Sequence, residues 1–101
     1  MRYMIRETFY CQRGRAPEIV ADFRSINDMM MRAGCANGKI YVDITGRMDT
    51  VIYEFETESL DQYFSTERTI YINPDVDTTK LINHLNEHAA QGTREIYEVM
   101  L

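Results

Sequence analysis

The sequence predicts an α+β domain built on a four-stranded antiparallel sheet. Three observations support this prediction. Residues 40–56 alternate apolar and polar side chains on both sides of a turn, as a half-buried β-hairpin does. Two further segments carry apolar residues at helical spacing, and β-rich segments lie near both ends of the chain. The resulting element order is β-α-β-β-α-(α)-β, and residues 1–101 are expected to form one domain.

The hairpin is expected to turn at Arg47-Met48, within the segment GRMD at residues 46–49. The predicted apolar pairs are Ile44 with Val51, Val42 with Tyr53, and Ile40 with Phe55. All six side chains would share one face and lie under the helices. A slip of one residue would mix the two faces, so the pattern favours this register.

The remaining elements follow in order along the chain. Residues 3–12 read as the first strand, and a helix begins near Pro17, a residue suited to a first helical turn. Ser59 and Gln62 form a candidate capping box for a short second helix. Residues 69–73, just before Pro74, are interpreted as a connector.

The last helix is expected to begin near Asp75 or Asp77 and to end at Gly92, which suits a C′ position. Residues 94–101 are then the final strand, with Ile96 and Met100 on one side and Tyr97, Val99 and Leu101 on the other.

Composition excludes several classes of function. The 101 residues carry a formal charge of −5 and no strong basic cluster, which argues against nucleic acid and anionic membranes as partners. No apolar run approaches the ~20 residues that span a bilayer, and no secretion signal is evident. Cys11 and Cys35 are interpreted as reduced thiols of a cytoplasmic protein, because a secreted scaffold of this size usually carries more cysteines.

In a ferredoxin-like arrangement of these elements the helices cover only one sheet face. The uncovered face would carry four large apolar side chains among its charges: Tyr41, Ile52, Ile96 and Met100. Such a face is too apolar to remain in water. We therefore expect the protein to pair with a second copy of itself, face to face, as a homodimer.

Two segments resemble the dimeric α/β-barrel superfamily, and most closely its NIPSNAP-like branch. Residues 5–15, IRETFYCQRGR, resemble the first strand of the family and the basic glycine turn after it. Residues 45–60, TGRMDTVIYEFETESL, resemble its glycine turn, its aromatic strand and the Ser-Leu start of its next helix. The resemblance implies two sheets that close into a barrel, with a cavity that holds a small hydrophobic or aromatic molecule.

The resemblance implies a small-molecule-binding protein with an unassigned reaction, and we expect no cofactor because no isolated cavity histidine can be identified in the sequence. The alternative within the superfamily is a cofactor-independent monooxygenase, or a cyclase or isomerase, that acts on an aromatic or polyketide-like substrate. A third reading is an interaction module without any enclosed cavity.

Polar side chains of the sheet supply the candidate cavity residues: Arg6, Thr8, Tyr10, Tyr41, Asp43, Glu54 and Glu98, with Arg94 beside them. A carboxylate among apolar neighbours has a raised pKa and is suited to acid–base work. The alternative is structural, with Arg6 or Arg94 pairing with Glu54 or Glu98 across the dimer. The faces of the first strand stay open, because Glu7 interrupts its odd side as Arg6 interrupts its even side.

The segment His84–His88 fits the H-x-x-E-H pattern of a family of zinc peptidases. Two histidines at i and i+4 share a helix face, but a zinc enzyme also needs a third ligand and a cleft. We interpret the pair as part of a solvated helix face and predict no metal site.

Overall fold

The computed structural model describes residues 1–100 and confirms the predicted order of elements. The elements are β1 (Tyr3–Cys11), α1 (Ala16–Arg32), β2 (Lys39–Val42), β3 (Thr50–Thr57), α2 (Leu60–Ile72), α3 (Val76–His88) and β4 (Ala89–Glu98). The sheet is antiparallel, with the strand order β2-β3-β1-β4. The fold is therefore ferredoxin-like, as the sequence predicts.

The helices cover one face of this sheet and bury the odd-numbered side chains of β1. Ile5 is fully buried and lies opposite Phe55 of β3 and Ile96 of β4. Directly opposed residues of an antiparallel pair share a face. Even-numbered side chains of β1 therefore point to the other face, which no element of residues 1–100 covers. We call it the open face.

Aromatic rings form the centre of the core. Successive ring centroids lie 5.0 Å apart for Phe9–Phe23, 5.4 Å for Phe23–Tyr53, 5.1 Å for Tyr53–Phe55 and 5.5 Å for Phe55–Tyr63. These separations fall in the favourable range for aromatic pairs. The row links α1, the sheet and α2, so it fixes two helices against the same strands.

Asn27 of α1 joins the helix layer to the sheet. Its Oδ1 accepts hydrogen bonds from the Gly38 backbone N–H at 2.8 Å and from the Tyr53 hydroxyl at 3.0 Å, and its Nδ2 donates to Asn37 at 2.8 Å. Gly38 has no room for a side chain, since a Cβ there would lie 2.4 Å from Tyr53 Cε1. The close approach of β2 to β3 depends on both residues.

The predicted hairpin register is wrong by two residues. Val42 lies opposite Val51, and Ile40 lies opposite Tyr53. The strand β2 ends at Val42, and residues 44–49 form a longer loop in which Ile44 is 97% exposed. Asp43 closes the hairpin, because its side chain accepts a hydrogen bond from the Thr50 N–H at 3.0 Å. Val42 and Ile44 are therefore not core residues, whereas β3 buries the predicted face.

Helix α2 is longer than predicted and includes four of the five residues assigned to a connector. It begins after Ser59, whose hydroxyl accepts a hydrogen bond from the Gln62 N–H at 3.1 Å. The second half of the predicted capping box is absent, since Gln62 Nε2 donates instead to the Ala33 carbonyl at 2.5 Å. The helix ends at Ile72, because Pro74 disfavours helical geometry at the residue before it.

Helix α3 passes directly into β4, and Gly92 does not end the helix. Asp75 caps α3, which confirms the first of the two predicted start positions. The strand β4 begins at Ala89, directly after the helix. Gly92 lies within β4 opposite Phe9, and a Cβ on it would lie 2.8 Å from the Phe9 ring. A glycine is needed there to admit that ring.

The final strand is shifted from the predicted residues 94–101, and Leu101 lies outside the described residues. Ile96 lies under the helices and packs against the core, so its expected place on the open face is wrong. Met100 lies beyond the end of the strand and is 82% exposed. Among residues 1–100, the helices are too short or too polar to cross a membrane.

Candidate functional site

The open face contains a concavity of about 700 Å³. Six of the seven predicted cavity residues line it: Arg6, Thr8, Tyr10, Tyr41, Asp43 and Glu54. The even face of β1 is therefore the one that contributes to this site. The lining also includes the apolar side chain of Ile52 and part of Val42 at the end of β2.

The charges in the middle of the concavity are paired within one chain. Arg6 Nε donates to Glu54 Oε1 at 2.7 Å, across the β1–β3 pair, and Arg6 Nη1 lies 3.9 Å from Glu95 Oε1. The hydrogen bond to Glu54 raises the pKa of Arg6, so the guanidinium stays charged. Arg6 thus already has a partner within its own chain.

The two tyrosines and Asp43 lie toward the hairpin end of the concavity. The Arg47 guanidinium lies 3.8 Å from the centre of the Tyr10 ring, a cation–π contact that ties the loop to β1. The Tyr41 side chain is 44% exposed. Asp43 Oδ1 accepts a hydrogen bond from the Thr50 N–H, so this oxygen is engaged within the hairpin.

Glu98 and Arg94 are not part of this concavity. Glu98 lies opposite Tyr3 and Arg94 lies opposite Glu7, so both belong to the helix-covered side of the sheet. Glu95 takes the expected place of Glu98 on the open face. The even-numbered side chains of β4 therefore lie on the helix-covered side, whereas they were predicted to lie on the open face.

A second polar cluster lies on the helix-covered side and consists of Glu7, Tyr63, Glu67 and Arg94. The Tyr63 hydroxyl donates to Glu7 Oε1 at 3.2 Å, Arg94 Nε lies 3.8 Å from the same oxygen, and Arg94 also pairs with Glu67. Burial raises the pKa of Glu7. The signal in the sequence was an acidic residue between Ile5 and Phe9 on a buried strand face.

His84 and His88 lie on the face of α3 that approaches α1. His84 Nδ1 lies 2.7 Å from the buried carboxylate of Asp22, and this hydrogen bond raises the pKa of His84. Within residues 1–100, His, Cys, Asp and Glu side chains form no cluster of three or more that could bind a metal ion.

Cys11 and Cys35 are buried free thiols. Burial, with the nearby carboxylates of Asp49 and Asp43, raises the pKa of Cys11 to about 11. Only a small fraction of this thiol would be the reactive thiolate near neutral pH. Neither geometry nor ionisation suggests a nucleophile here.

The sequence matches no family model, and no curated protein is similar to it. Solved structures are similar in fold. A NIPSNAP family protein from Agrobacterium tumefaciens aligns over 98% of this chain and 86% of its own, with a TM-score of 0.79 and 16% identity. A NIPSNAP domain protein from Burkholderia xenovorans aligns over 99% and 95%, with a TM-score of 0.75 and 9% identity.

SnoaB from Streptomyces nogalater, described as a cofactor-independent oxygenase, aligns over 99% of this chain and 94% of its own. Its TM-score is 0.74 and its identity is 8%. The fold expected from the two sequence segments is thus confirmed over nearly the whole chain. The protein shares the fold of NIPSNAP proteins and of a cofactor-independent oxygenase.

Proposed function

We propose that this protein is a small-molecule-binding homodimer in which two open faces meet and enclose the ligand. The observation that carries the proposal is the concavity of about 700 Å³ on the uncovered face of the sheet. That volume lies within the ~300–1,000 Å³ typical of ligand sites. A second copy would close its open side.

The composition of the open face supports pairing with a second copy. Tyr41 and Tyr97 are 44% and 46% exposed, which leaves apolar surface on this sheet face in water. The central charges of Arg6 and Glu54 already neutralise one another. Burying them together costs less than burying either one alone.

The lining supports a small hydrophobic or aromatic ligand. Tyr10, Tyr41 and Ile52 provide flat or apolar contacts, and Arg6 with Glu54 provides a polar end that could orient a carbonyl or hydroxyl group. The two buried free thiols support a cytoplasmic location, where cysteines stay reduced.

The second candidate is a cofactor-independent enzyme, and the likeness to SnoaB in fold favours it. Such an enzyme needs a group that moves protons in a site from which water is excluded. Both carboxylates are engaged through one oxygen, Asp43 by the Thr50 N–H and Glu54 by Arg6 Nε, and Glu54 is the one that lies in the middle of the concavity. Loss of turnover in Glu54→Gln with assembly intact would support this candidate.

Native mass spectrometry of the purified protein tests the homodimer. We expect twice the chain mass of 11.9 kDa, and any co-purified ligand would appear as additional mass that is lost on denaturation. The variant Ile52→Glu places a charge on the open face and should yield monomers. The matched control Ile72→Glu changes an exposed residue of α2 and should remain dimeric. A monomeric wild-type protein would contradict the proposal.

A further inference from the structure

We propose that the concavity of the open face binds an organic cation, a small molecule that carries a protonated amine on an apolar or aromatic body. The ammonium group lies between the Tyr41 ring and the Asp43 carboxylate, toward the hairpin end of the concavity. This inference rests on the proposed function, because the site is enclosed only when two open faces meet. It goes further by naming the charge of the ligand.

The first argument is the balance of charge in the concavity. Its lining contains three carboxylates and two guanidinium groups, namely Asp43, Glu54 and Glu95 against Arg6 and Arg47. Each copy of the chain therefore contributes one excess negative charge. When two faces close over these charges, water is removed from them, which is unfavourable unless a positive charge accompanies them. A cationic ligand supplies that charge, whereas an anionic ligand increases the excess.

The second argument is that Asp43 has no cation of its own. Arg6 is the partner of both Glu54, at 2.7 Å, and Glu95, at 3.9 Å. The ion pairs within residues 1–100 do not include Asp43. Its Oδ1 accepts the Thr50 N–H at 3.0 Å, which leaves Oδ2 for a ligand. Asp43 is thus the carboxylate that a ligand cation reaches without displacing an existing ion pair.

The third argument is the aromatic ring beside this carboxylate. Tyr41 and Asp43 are two residues apart on an extended chain, so their side chains point to the same side of the sheet, and both line the concavity. The Asp43 N–H donates to the Thr50 carbonyl at 3.2 Å, which continues the pairing with β3 beyond the end of β2. A carboxylate next to an aromatic face is an arrangement that binds an ammonium group.

The fourth argument is a cation that the chain itself places in the concavity. The Arg47 guanidinium lies 3.8 Å from the centre of the Tyr10 ring. Within the described residues 1–100, Arg47 takes part in no ion pair. An aromatic face and not a carboxylate therefore binds this cation. The Tyr41 ring offers the same kind of surface to a ligand, and it has Asp43 beside it.

Three probes with the same ring system and different charges test the inference. Near neutral pH, 2-naphthylmethylamine is a cation, 2-naphthylmethanol is neutral and 2-naphthoate is an anion. The chain has no tryptophan, so naphthalene fluorescence can report binding. In about 0.15 M salt, which screens distant charges, we expect the amine to bind about tenfold more tightly than the alcohol. The naphthoate should bind more weakly than the alcohol.

The variant Asp43→Asn removes the charge and keeps an oxygen that can accept the Thr50 N–H. The ratio of the affinities for the amine and the alcohol should fall close to one. Asp28→Asn removes an exposed carboxylate of α1, on the helix-covered side, and should keep the ratio of the wild type. This control separates a specific site from the general attraction of cations to an acidic protein.

A second pair of variants decides the question even if Asp43→Asn does not fold. Tyr41→Leu keeps an apolar side chain and removes the ring, so the preference for the amine should fall several-fold. Tyr41→Phe keeps the aromatic face and should retain more of the preference than Tyr41→Leu does.

Native mass spectrometry of the same samples records the assembly separately. A dimeric wild-type protein that binds the amine and the alcohol equally would overturn the cation preference and leave the proposed function standing. An undiminished preference in Asp43→Asn or in Tyr41→Leu would also overturn it. A wild-type protein that is monomeric, or that binds none of the three probes, would overturn both the proposed function and this inference.

Discussion

Replacing Asn27 with alanine would remove the side chain that joins α1 to both strands of the hairpin. The Tyr53 hydroxyl would lose its partner inside a fully buried residue, and the Gly38 N–H would lose its acceptor. An unsatisfied buried group costs about 1–3 kcal/mol, and the better helix propensity of alanine returns about 0.5 kcal/mol. We expect the free energy of unfolding to fall by about 2–3 kcal/mol.

Urea unfolding at one fixed protein concentration measures this change, because the stability of the proposed homodimer would depend on concentration. In a chain of 101 residues, a loss of 1 kcal/mol in the free energy of unfolding lowers the melting temperature by about 4–8 °C. The melting temperature of Asn27→Ala should therefore fall by roughly 8–24 °C. Asn83→Ala changes an exposed helical asparagine and serves as the control. A loss in Asn27→Ala of no more than about 0.5 kcal/mol would refute the argument.

Two other predictions concern α3 and β4. Gly92→Ala should lower the free energy of unfolding by about 1–3 kcal/mol, because the new methyl group meets the Phe9 ring; Gln91→Ala is the exposed control, and equal denaturation midpoints would contradict the prediction. In the folded state the hydrogen bond to Asp22 raises the pKa of His84. This pair therefore stabilises the fold fully below the ordinary histidine pKa of about 6.5, and the stabilisation is lost as the pH rises through the raised pKa of the folded state. Urea unfolding across this range should show the gap between wild type and His84→Gln closing with pH, and a gap that widens would contradict the assignment.

The two faces of β3 could be predicted from the sequence, but those of β1 and β4 could not. The buried side of β3 follows from Val51, Tyr53 and Phe55 at a spacing of two. In β4 the two candidate sides, marked by Ile96 and Tyr97, are about equally apolar in the sequence. Only pairing with β1 decides that Ile96 is buried.

The extent of α2 and the length of the hairpin loop depend on tertiary structure. Residues 69–72 are rich in β-formers, yet α2 continues through them and ends at Ile72, two residues before Pro74. Asp43 ends the hairpin two residues earlier than the alternating pattern suggests, because its side chain binds the backbone across the loop. The Glu7 cluster was missed because its members come from three distant segments.

The direct passage from His88 at the end of α3 to Ala89 at the start of β4 affects how the chain tolerates changes in length. An extra residue inserted there would shift β4 by one position and send every one of its side chains to the opposite face. Ile96 would then be forced from the core into water. The loop at residues 44–49, with Ile44 in solvent, would absorb the same insertion. The helix–strand junction is therefore the point at which this fold least tolerates a change in chain length.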